Sequence, residues 1–319
     1  MEFWTNKNNA PAGKLPGRKK GEKKMKIAYT GWTWMMAGPN TPDEEKIKMF
    51  DQSMKEIKYL GYDCAENFAF ISGFITPETC KEICKKYDLP LVNVYGHFST
   101  DIEKEIAIAK KQLDWLAAIG GTWFNCQSSV PRPEAPKKSD HTDDDAPVEP
   151  EVFDDMVFHK DGVDAMITIC NELGKYAAER GLVLCFHPHA MTYVFNRESI
   201  DYFVANTDPK YVKLCIDTAH TTLAGIDPVE LCRTYGKRVG YMHLKDVDPS
   251  HDIASDPGRG KMGAFRALGL GTVDFKGVVK ALKENGYDGV LCVELDNPEI
   301  CNFRSAQISR QYIKDVLKL

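Results

Sequence analysis

The run Val212-Lys213-Leu214-Cys215-Ile216-Asp217-Thr218-Ala219-His220 is a short apolar segment that ends in a carboxylate and, one helical turn later, an imidazole. A helix-like pattern precedes it at Arg197–Ala205 and another follows at Pro228–Tyr235. Its neighbours along the chain are built alike. Leu182–His187 ends in Phe186-His187-Pro188-His189, Val239–Leu244 runs into His243-Leu244-Lys245-Asp246, and Gly289–Glu294 runs into Glu294-Leu295-Asp296. Each time the chain leaves an apolar run and presents a charged or metal-capable group at its end.

Four more apolar runs come before these, at Ile27–Thr30, Tyr62–Glu66, Leu91–Tyr95 and Thr122–Gln127. Amphipathic segments at Asp43–Leu60, Pro77–Tyr87, Asp101–Ala118, Asp161–Arg180, Phe275–Glu284 and Arg304–Leu317 complete the alternation. Gly61, Gly120-Gly121, Gly181, Gly286 and Asp288-Gly289 punctuate the helix-to-strand turns. Eight strand–helix units imply parallel strands joined by crossover helices, and closing them predicts an α/β fold, the (β/α)8 barrel. A doubly wound open sheet is the alternative. A length of 319 residues suits one such domain, placed at 25–319. Two connections exceed simple turns, 128–160 after the fourth strand and 246–272 after the seventh. Both leave strand C-termini and are expected to act as lids or pocket walls.

Composition excludes several classes. The chain is 43% hydrophobic and 10% aromatic, which is the make-up of a globule rather than a fibre or a disordered chain. No apolar run approaches the roughly 20 residues that span a bilayer, so no membrane partner is expected. The net charge of −5 hides an asymmetry: residues 1–24 carry seven Lys/Arg and two Glu, a balance of +5, which leaves −10 on residues 25–319. An acidic body repels a phosphate backbone, so nucleic acid is not an expected partner. Residues 1–24 lack the apolar core of a secretion signal and are read as a disordered basic extension, the fold beginning at Met25. Ten cysteines without a Cys-x-x-Cys pair read as buried reduced thiols of a cytoplasmic enzyme. There is no Gly-x-Ser-x-Gly, and Gly269-Leu270-Gly271 lacks the third glycine of a dinucleotide loop.

The chemistry gathers on strands five to eight, where four of the eight histidines fall. Two imidazoles with two carboxylates suit a divalent ion, Mn²⁺ first, with Co²⁺, Mg²⁺, Zn²⁺ and Fe²⁺ as alternatives. Residues two apart on a strand point to one side, so His187 with His189, or His243 with Lys245, can pair a ligand with a proton-transfer group.

From Met25 onward the chain resembles the sugar phosphate isomerase/epimerase superfamily, the xylose isomerase-like TIM barrels. The motifs that carry the resemblance are Gly61-Tyr62-Asp63-Cys64-Ala65-Glu66, Asp217-Thr218-Ala219-His220, His243-Leu244-Lys245-Asp246, Gly269-Leu270-Gly271-Thr272-Val273-Asp274-Phe275 and Val293-Glu294, in that order. Within it, Cys185-Phe186-His187-Pro188-His189 and Asn206-Thr207-Asp208-Pro209 look most like inosose dehydratases. The resemblance implies His187, Asp217, His243 and Glu294 as metal ligands. Most members carry Glu at the strand-five position, so His189 stays open as an alternative to His187 there. It further implies enolisation of a keto-sugar or keto-cyclitol with the metal's help. Proton transfer falls to His189, His220 and Lys245, with Glu66 and His97 reaching in from strands two and three. Trp32 and Gln127 belong to a rim of aromatics and amides that suits a sugar, so Trp32, Glu66, His97 and Gln127 are the expected substrate contacts.

Replacing one of the family's paired glutamates by His favours β-elimination, the work of a lyase, over epimerisation or isomerisation. The barrel subunit of C-glycoside-cleaving enzymes, which eliminates an aglycone from a 3-oxo-glucoside, is the second resemblance and implies a small partner subunit. Family barrels also pair, so a homo- or hetero-oligomer is expected. DNA-repair endonucleases of the same barrel need further ligands and a basic surface. A non-catalytic sugar-binding barrel is the remaining competitor.

Overall fold

The computed structural model describes residues 25–38, 40–131, 153–252, 263–298 and 300–319. The basic extension expected at 1–24 lies outside them, as do 132–152 and 253–262 of the two long connections.

Eight parallel strands close into a barrel in chain order: β1 (Lys26–Thr30), β2 (Cys64–Phe68), β3 (Leu91–Phe98), β4 (Trp123–Ser128), β5 (Val183–Phe186), β6 (Val212–Asp217), β7 (Val239–Leu244) and β8 (Val290–Val293). Closure is made by β8 against β1, from Lys26↔Val290 to Tyr29↔Val293. The open-sheet alternative is thereby set aside. Helices α1 (Asp43–Tyr59), α2 (Pro77–Tyr87), α3 (Ile102–Ile119), α4 (Lys160–Glu179), α5 (Arg197–Asn206), α6 (Thr218–Leu223), α7 (Pro228–Tyr235), α8 (Phe275–Glu284) and α9 (Asn302–Tyr312) form the outer layer.

Local chemistry sets these boundaries. The side chains of Thr76, Asp101, Asn196, Asp217, Asp227 and Asp274 each accept a backbone N–H at the first turn of α2, α3, α5, α6, α7 and α8. In α8, Phe275, Val278, Val279 and Leu282 are buried, the i, i+3, i+4, i+7 stripe of a helix with one apolar face. Burying one such side chain contributes about 1.5–3 kcal/mol. The turn that follows uses Gly286 at φ 75°, as Gly61, Gly120 and Gly181 serve at φ 83°, 80° and 72°.

Strand alternation divides the buried residues into two sets. One packs under the helices, with Ile27, Tyr29, Leu184, Leu214, Leu291 and Val293 among it. The other fills the barrel lumen with Ala28, Cys64, Val92, Cys185, Cys215, Tyr241, Val290 and Cys292. That apolar floor carries the polar residues above it. Nine cysteines are buried and all ten are free thiols, but Cys301 is exposed, which corrects the reading of all ten as core: it precedes α9 rather than sitting in a strand.

Two features were not among the elements read from sequence. Asp217-Thr218-Ala219-His220 turns directly into α6, and residues Asp246–Val247 pair with Phe265–Arg266 as a two-stranded antiparallel hairpin. No described helix is long and apolar enough to cross a membrane.

Candidate active site and metal centre

Register places the polar residues at one end of the barrel. Asp217, the last residue of β6, lies beside His243 of β7, and His243 beside Cys292 of β8, one turn of pleat below Glu294. Glu66 faces Thr30 across β1–β2. His187 follows β5 directly, and its backbone N–H donates to Cys126 at 2.7 Å. The chain therefore carries all four predicted ligands to the C-terminal mouth, where a parallel barrel keeps its reactive groups.

His187, Asp217, His243 and Glu294 are buried, and one ligand atom from each lies within 4.8 Å of the others. His187 Nε2 is 3.6 Å from Asp217 Oδ2, and His243 Nδ1 is 3.9 Å from the same oxygen and 2.6 Å from Glu294 Oε2. Yet His187 Nε2, Asp217 Oδ2, His243 Nδ1 and Glu294 Oε2 are all without an aligned hydrogen bond. Buried polar atoms without partners are costly. Four such atoms facing one point make a donor set that fits a divalent cation: two neutral nitrogens, two carboxylate oxygens.

The remaining atoms of these groups are spoken for, and that fixes their orientation. His243 Nε2 donates to Glu66 Oε1 at 2.9 Å, which leaves the Nδ1 lone pair inward. Tyr95 donates its hydroxyl to Gln127 Oε1, so His187 Nδ1, 2.7 Å from the Tyr95 oxygen, donates to it and leaves Nε2 inward. Asp217 Oδ1 accepts from the N–H groups of Ala219 (2.7 Å) and His220 (2.9 Å), leaving Oδ2 inward. Asn125 holds the other oxygen of Glu66 at 3.2 Å.

Beside the donors lies a second cluster. Lys245 Nζ, fully buried, is 2.8 Å from Asp296 Oδ2, 3.1 Å from Glu294 Oε1 and 3.5 Å from Asp217 Oδ2. Burial pulls its pKa down, but Asp296, Glu294 and Asp217 together outweigh it and hold the ammonium form. Burial pushes Asp296 up to about 6 against the pull of Lys245. His189 and His220 stack at 3.7 Å between ring centres. Burial, helped by neighbouring imidazoles and by Lys245, keeps both well below the usual histidine range. His189 Nδ1 donates to Ala190 O at 2.7 Å, so its Nε2 is a free base. His220 has a donor beside each ring nitrogen, Ala190 N–H 3.3 Å from Nδ1 and the Lys245 ammonium 3.4 Å from Nε2; a neutral ring can accept from only one of them, and both oppose a second proton on it.

Burial also lowers His187, whereas His243, between Glu66 and Glu294, is pushed up in spite of its burial. Glu294 and Asp217 are pulled down against their burial, Glu294 by His243 and Lys245, Asp217 by Lys245 and His187. The carboxylates of this mouth draw positive charge to themselves.

Of the expected substrate contacts, Trp32 packs on Phe68, 5.3 Å between ring centres. His97 is exposed at the rim yet packs beside Phe68 and Tyr95, and the protein around it, with His187 close by, pushes it down to about 4. Glu66 and Gln127 stand behind His243 and, through Tyr95, behind His187. The sequence reading gave no role to Tyr95, Asn125 or Asp296, although it placed Asp296 at a charged strand end. Alternation from His97 reaches Tyr95, and from Glu294 reaches Asp296, so period two held the signal. Of the long connections, the described end of the second brings Phe265 against His220 (5.1 Å) and over Lys245 Nζ (4.7 Å) as a wall. In the first, Asp155 Oδ2 accepts from Met191 N–H at 2.6 Å.

A family model for the xylose isomerase-like TIM barrel matches residues 54–316. An inosose dehydratase of Clostridium botulinum (strain Alaska E43 / Type E3) is 28% identical over 312 residues, covering 92% of this chain and 96% of its own. Among solved structures, a xylose isomerase-like TIM barrel protein from Mycobacterium smegmatis in complex with magnesium superposes with a TM-score of 0.67 at 18% identity, covering 92% of this chain and 96% of its own. The 3-keto-D-glucoside 4-epimerase of E. coli does so with a TM-score of 0.62 at 17% identity, covering 91% and 99%. The motifs at the strand ends, the closed barrel and this match agree: the chain belongs to the xylose isomerase-like TIM barrel family.

Proposed function

We propose that this carbohydrate-modifying enzyme is a divalent-metal-dependent lyase that enolises a keto-sugar or keto-cyclitol and eliminates water from it, as an inosose dehydratase does. The observation that carries the reading is the convergence of His187 Nε2, Asp217 Oδ2, His243 Nδ1 and Glu294 Oε2, all buried, within 4.8 Å of one another and without an aligned hydrogen bond. These four residues would hold the metal, with Mn²⁺ the first choice and Co²⁺, Mg²⁺, Zn²⁺ and Fe²⁺ the alternatives. A divalent ion there supplies an electrophile for a ketone and its neighbouring hydroxyl, which makes the adjacent C–H acidic.

The chain's own residues do the rest. His189, neutral and with Nε2 free, takes the proton from carbon. Lys245, kept as an ammonium by three carboxylates, gives a proton to the departing hydroxyl. His220 keeps the two apart and stays neutral. Phe265 covers this pair from outside, which limits water. Delivering a proton back to carbon instead would make an epimerase; the Lys245 ammonium beside the ligands, placed to meet a departing hydroxyl, favours elimination.

One observation favours a second reading. Rings run from the ligands to the rim, Tyr95 to His97 and Phe68, then Phe68 to Phe70 at 5.8 Å. Such a wall suits the aglycone of an aryl 3-oxo-glucoside, with a small partner subunit completing a hetero-oligomer; the dehydratase reading is compatible with a homo-oligomer. Either reaction suits a cytoplasmic enzyme.

Proton NMR of the Mn²⁺-loaded protein with a keto-inositol in D₂O separates the outcomes. Loss of water to a hydroxy-enone or its dione tautomer is expected. Deuterium uptake without elimination moves the substrate to keto-glycosides, and no reaction with either substrate class overturns enolisation.

A further inference from the structure

Between β1 and β3, beside Glu294, lies a narrow recess of about 10 Å³, room for a single water-sized group. Thr30, Trp32, Glu66, Phe68, Tyr95 and Glu294 are among its lining. Two of its polar atoms are buried and have no hydrogen-bond partner: the Thr30 hydroxyl, on a residue 2% exposed, and the Trp32 indole N–H. Neither is spent on the fold. By contrast Glu66, Gln127, Tyr95 and Asn125, the polar side chains that back the ligands, each have at least one partner.

We infer that Thr30 and Trp32 form a subsite for one neutral oxygen of the substrate, a hydroxyl or a carbonyl, next to the metal ligands. The indole can only donate, so the ligand atom must accept; the threonine hydroxyl can donate or accept and so suits a hydroxyl that does both. The charged lining of the recess is Glu66 and Glu294, both carboxylates. A carboxylate or phosphate group of a ligand would be repelled there, and a neutral polyol would not. The subsite thus restricts this position to neutral polyhydroxy ketones and selects against phosphate esters. This inference rests on the carbohydrate reading of the site, and names which part of the chain reads a hydroxyl. A site built to bond an oxygen discriminates strongly, because its own buried groups are left unpaired when that oxygen is missing.

The test is a binding titration of the metal-loaded protein with three probes: a keto-inositol, methyl 3-keto-glucoside and fructose 6-phosphate. Thr30→Val keeps shape and removes the hydroxyl; Trp32→Phe keeps an aromatic ring and removes the N–H. Each is expected to weaken the neutral probe on the order of tenfold or more, with metal affinity, measured separately by chelator competition, unchanged. A keto-inositol that fails to bind while the keto-glucoside binds and weakens in both variants overturns the cyclitol substrate and supports the subsite. A neutral probe bound equally by wild type and both variants overturns the subsite and leaves the proposed reaction standing. Binding of fructose 6-phosphate alone, or of no neutral probe, overturns the subsite.

Discussion

Glu66 Oε1 lies 2.9 Å from His243 Nε2, across 177 residues of sequence, and by accepting that N–H it turns the other nitrogen of the ring toward Asp217 and Glu294. A carboxylate behind a ligating imidazole fixes its tautomer and raises its basicity. Glu66→Ala is therefore expected to weaken divalent-ion affinity roughly 10–100-fold. Glu66→Gln, which keeps an accepting oxygen without the charge, should fall between. Chelator competition on the purified variants checks this; unchanged affinity in Glu66→Ala would remove His243 from the ligand set.

Asp217 has two jobs on two oxygens. Oδ1 caps α6 through Ala219 and His220, and Oδ2 faces the other donors. Asp217→Asn keeps an oxygen for the cap and discards the charge; Asp217→Ala discards both. Both variants should lose metal retention and turnover. Only the alanine variant should also lose the cap, worth about 1 kcal/mol. Thermal melts of the metal-free proteins show the difference. Glu294→Ala belongs to the same series, and full activity in Asp217→Ala and Glu294→Ala together would refute the metal centre.

Proton competition gives the pH dependence its sign. His243, raised above the usual histidine value by the carboxylates around it, still holds a proton near neutrality, and a cation must displace it. Affinity should therefore fall as pH falls, roughly tenfold per pH unit below that pKa. His187, lowered by burial, is already neutral there and adds a second proton only at more acid pH, where the slope steepens. Calorimetry in buffers of different ionisation heat should count about one proton released per ion near neutral pH. A flat affinity between about pH 6 and about pH 8 contradicts this.

The barrel was legible because its signals are local. Pro77–Tyr87, Pro228–Tyr235 and Phe275–Glu284 were read from sequence with the bounds they have, each opened by a cap or a proline and closed by a turn. The residue types of the donor set were legible too, since each ends an apolar run. Helix α6 was not: Thr218-Ala219-His220-Thr221-Thr222-Leu223 is rich in β-branched residues, and it is helical because Asp217 caps it and Thr218 exchanges hydrogen bonds with the backbone of Lys245. Long-range pairings such as Glu66 with His243 leave no trace in spacing, because closure of the barrel alone makes them neighbours.

Asp246 shows the same limit and supplies a further test. It ends His243-Leu244-Lys245-Asp246 and was read with the charged strand ends, but its carboxylate faces away from the ligands. Oδ2 accepts from the N–H groups of Gly269 (2.8 Å) and Gly271 (2.9 Å), and Oδ1 from those of Val247 (3.0 Å) and Val273 (3.1 Å). One carboxylate thus ties the Gly269-Leu270-Gly271 turn to the hairpin that carries Phe265 over Lys245. Gly271 is needed for this approach, since a Cβ there would stand 2.4 Å from Asp246 Oδ1 and 2.5 Å from the Val247 carbonyl. Asp246→Ala frees four backbone donors, and Gly271→Ala pushes the same contact apart. Both should speed protease cleavage around residues 268–273 and lower turnover through loss of the Phe265 wall, while metal affinity stays within about threefold of wild type, as expected for a change that touches no ligand. Wild-type cleavage rates in both variants would show that the carboxylate does not hold the turn.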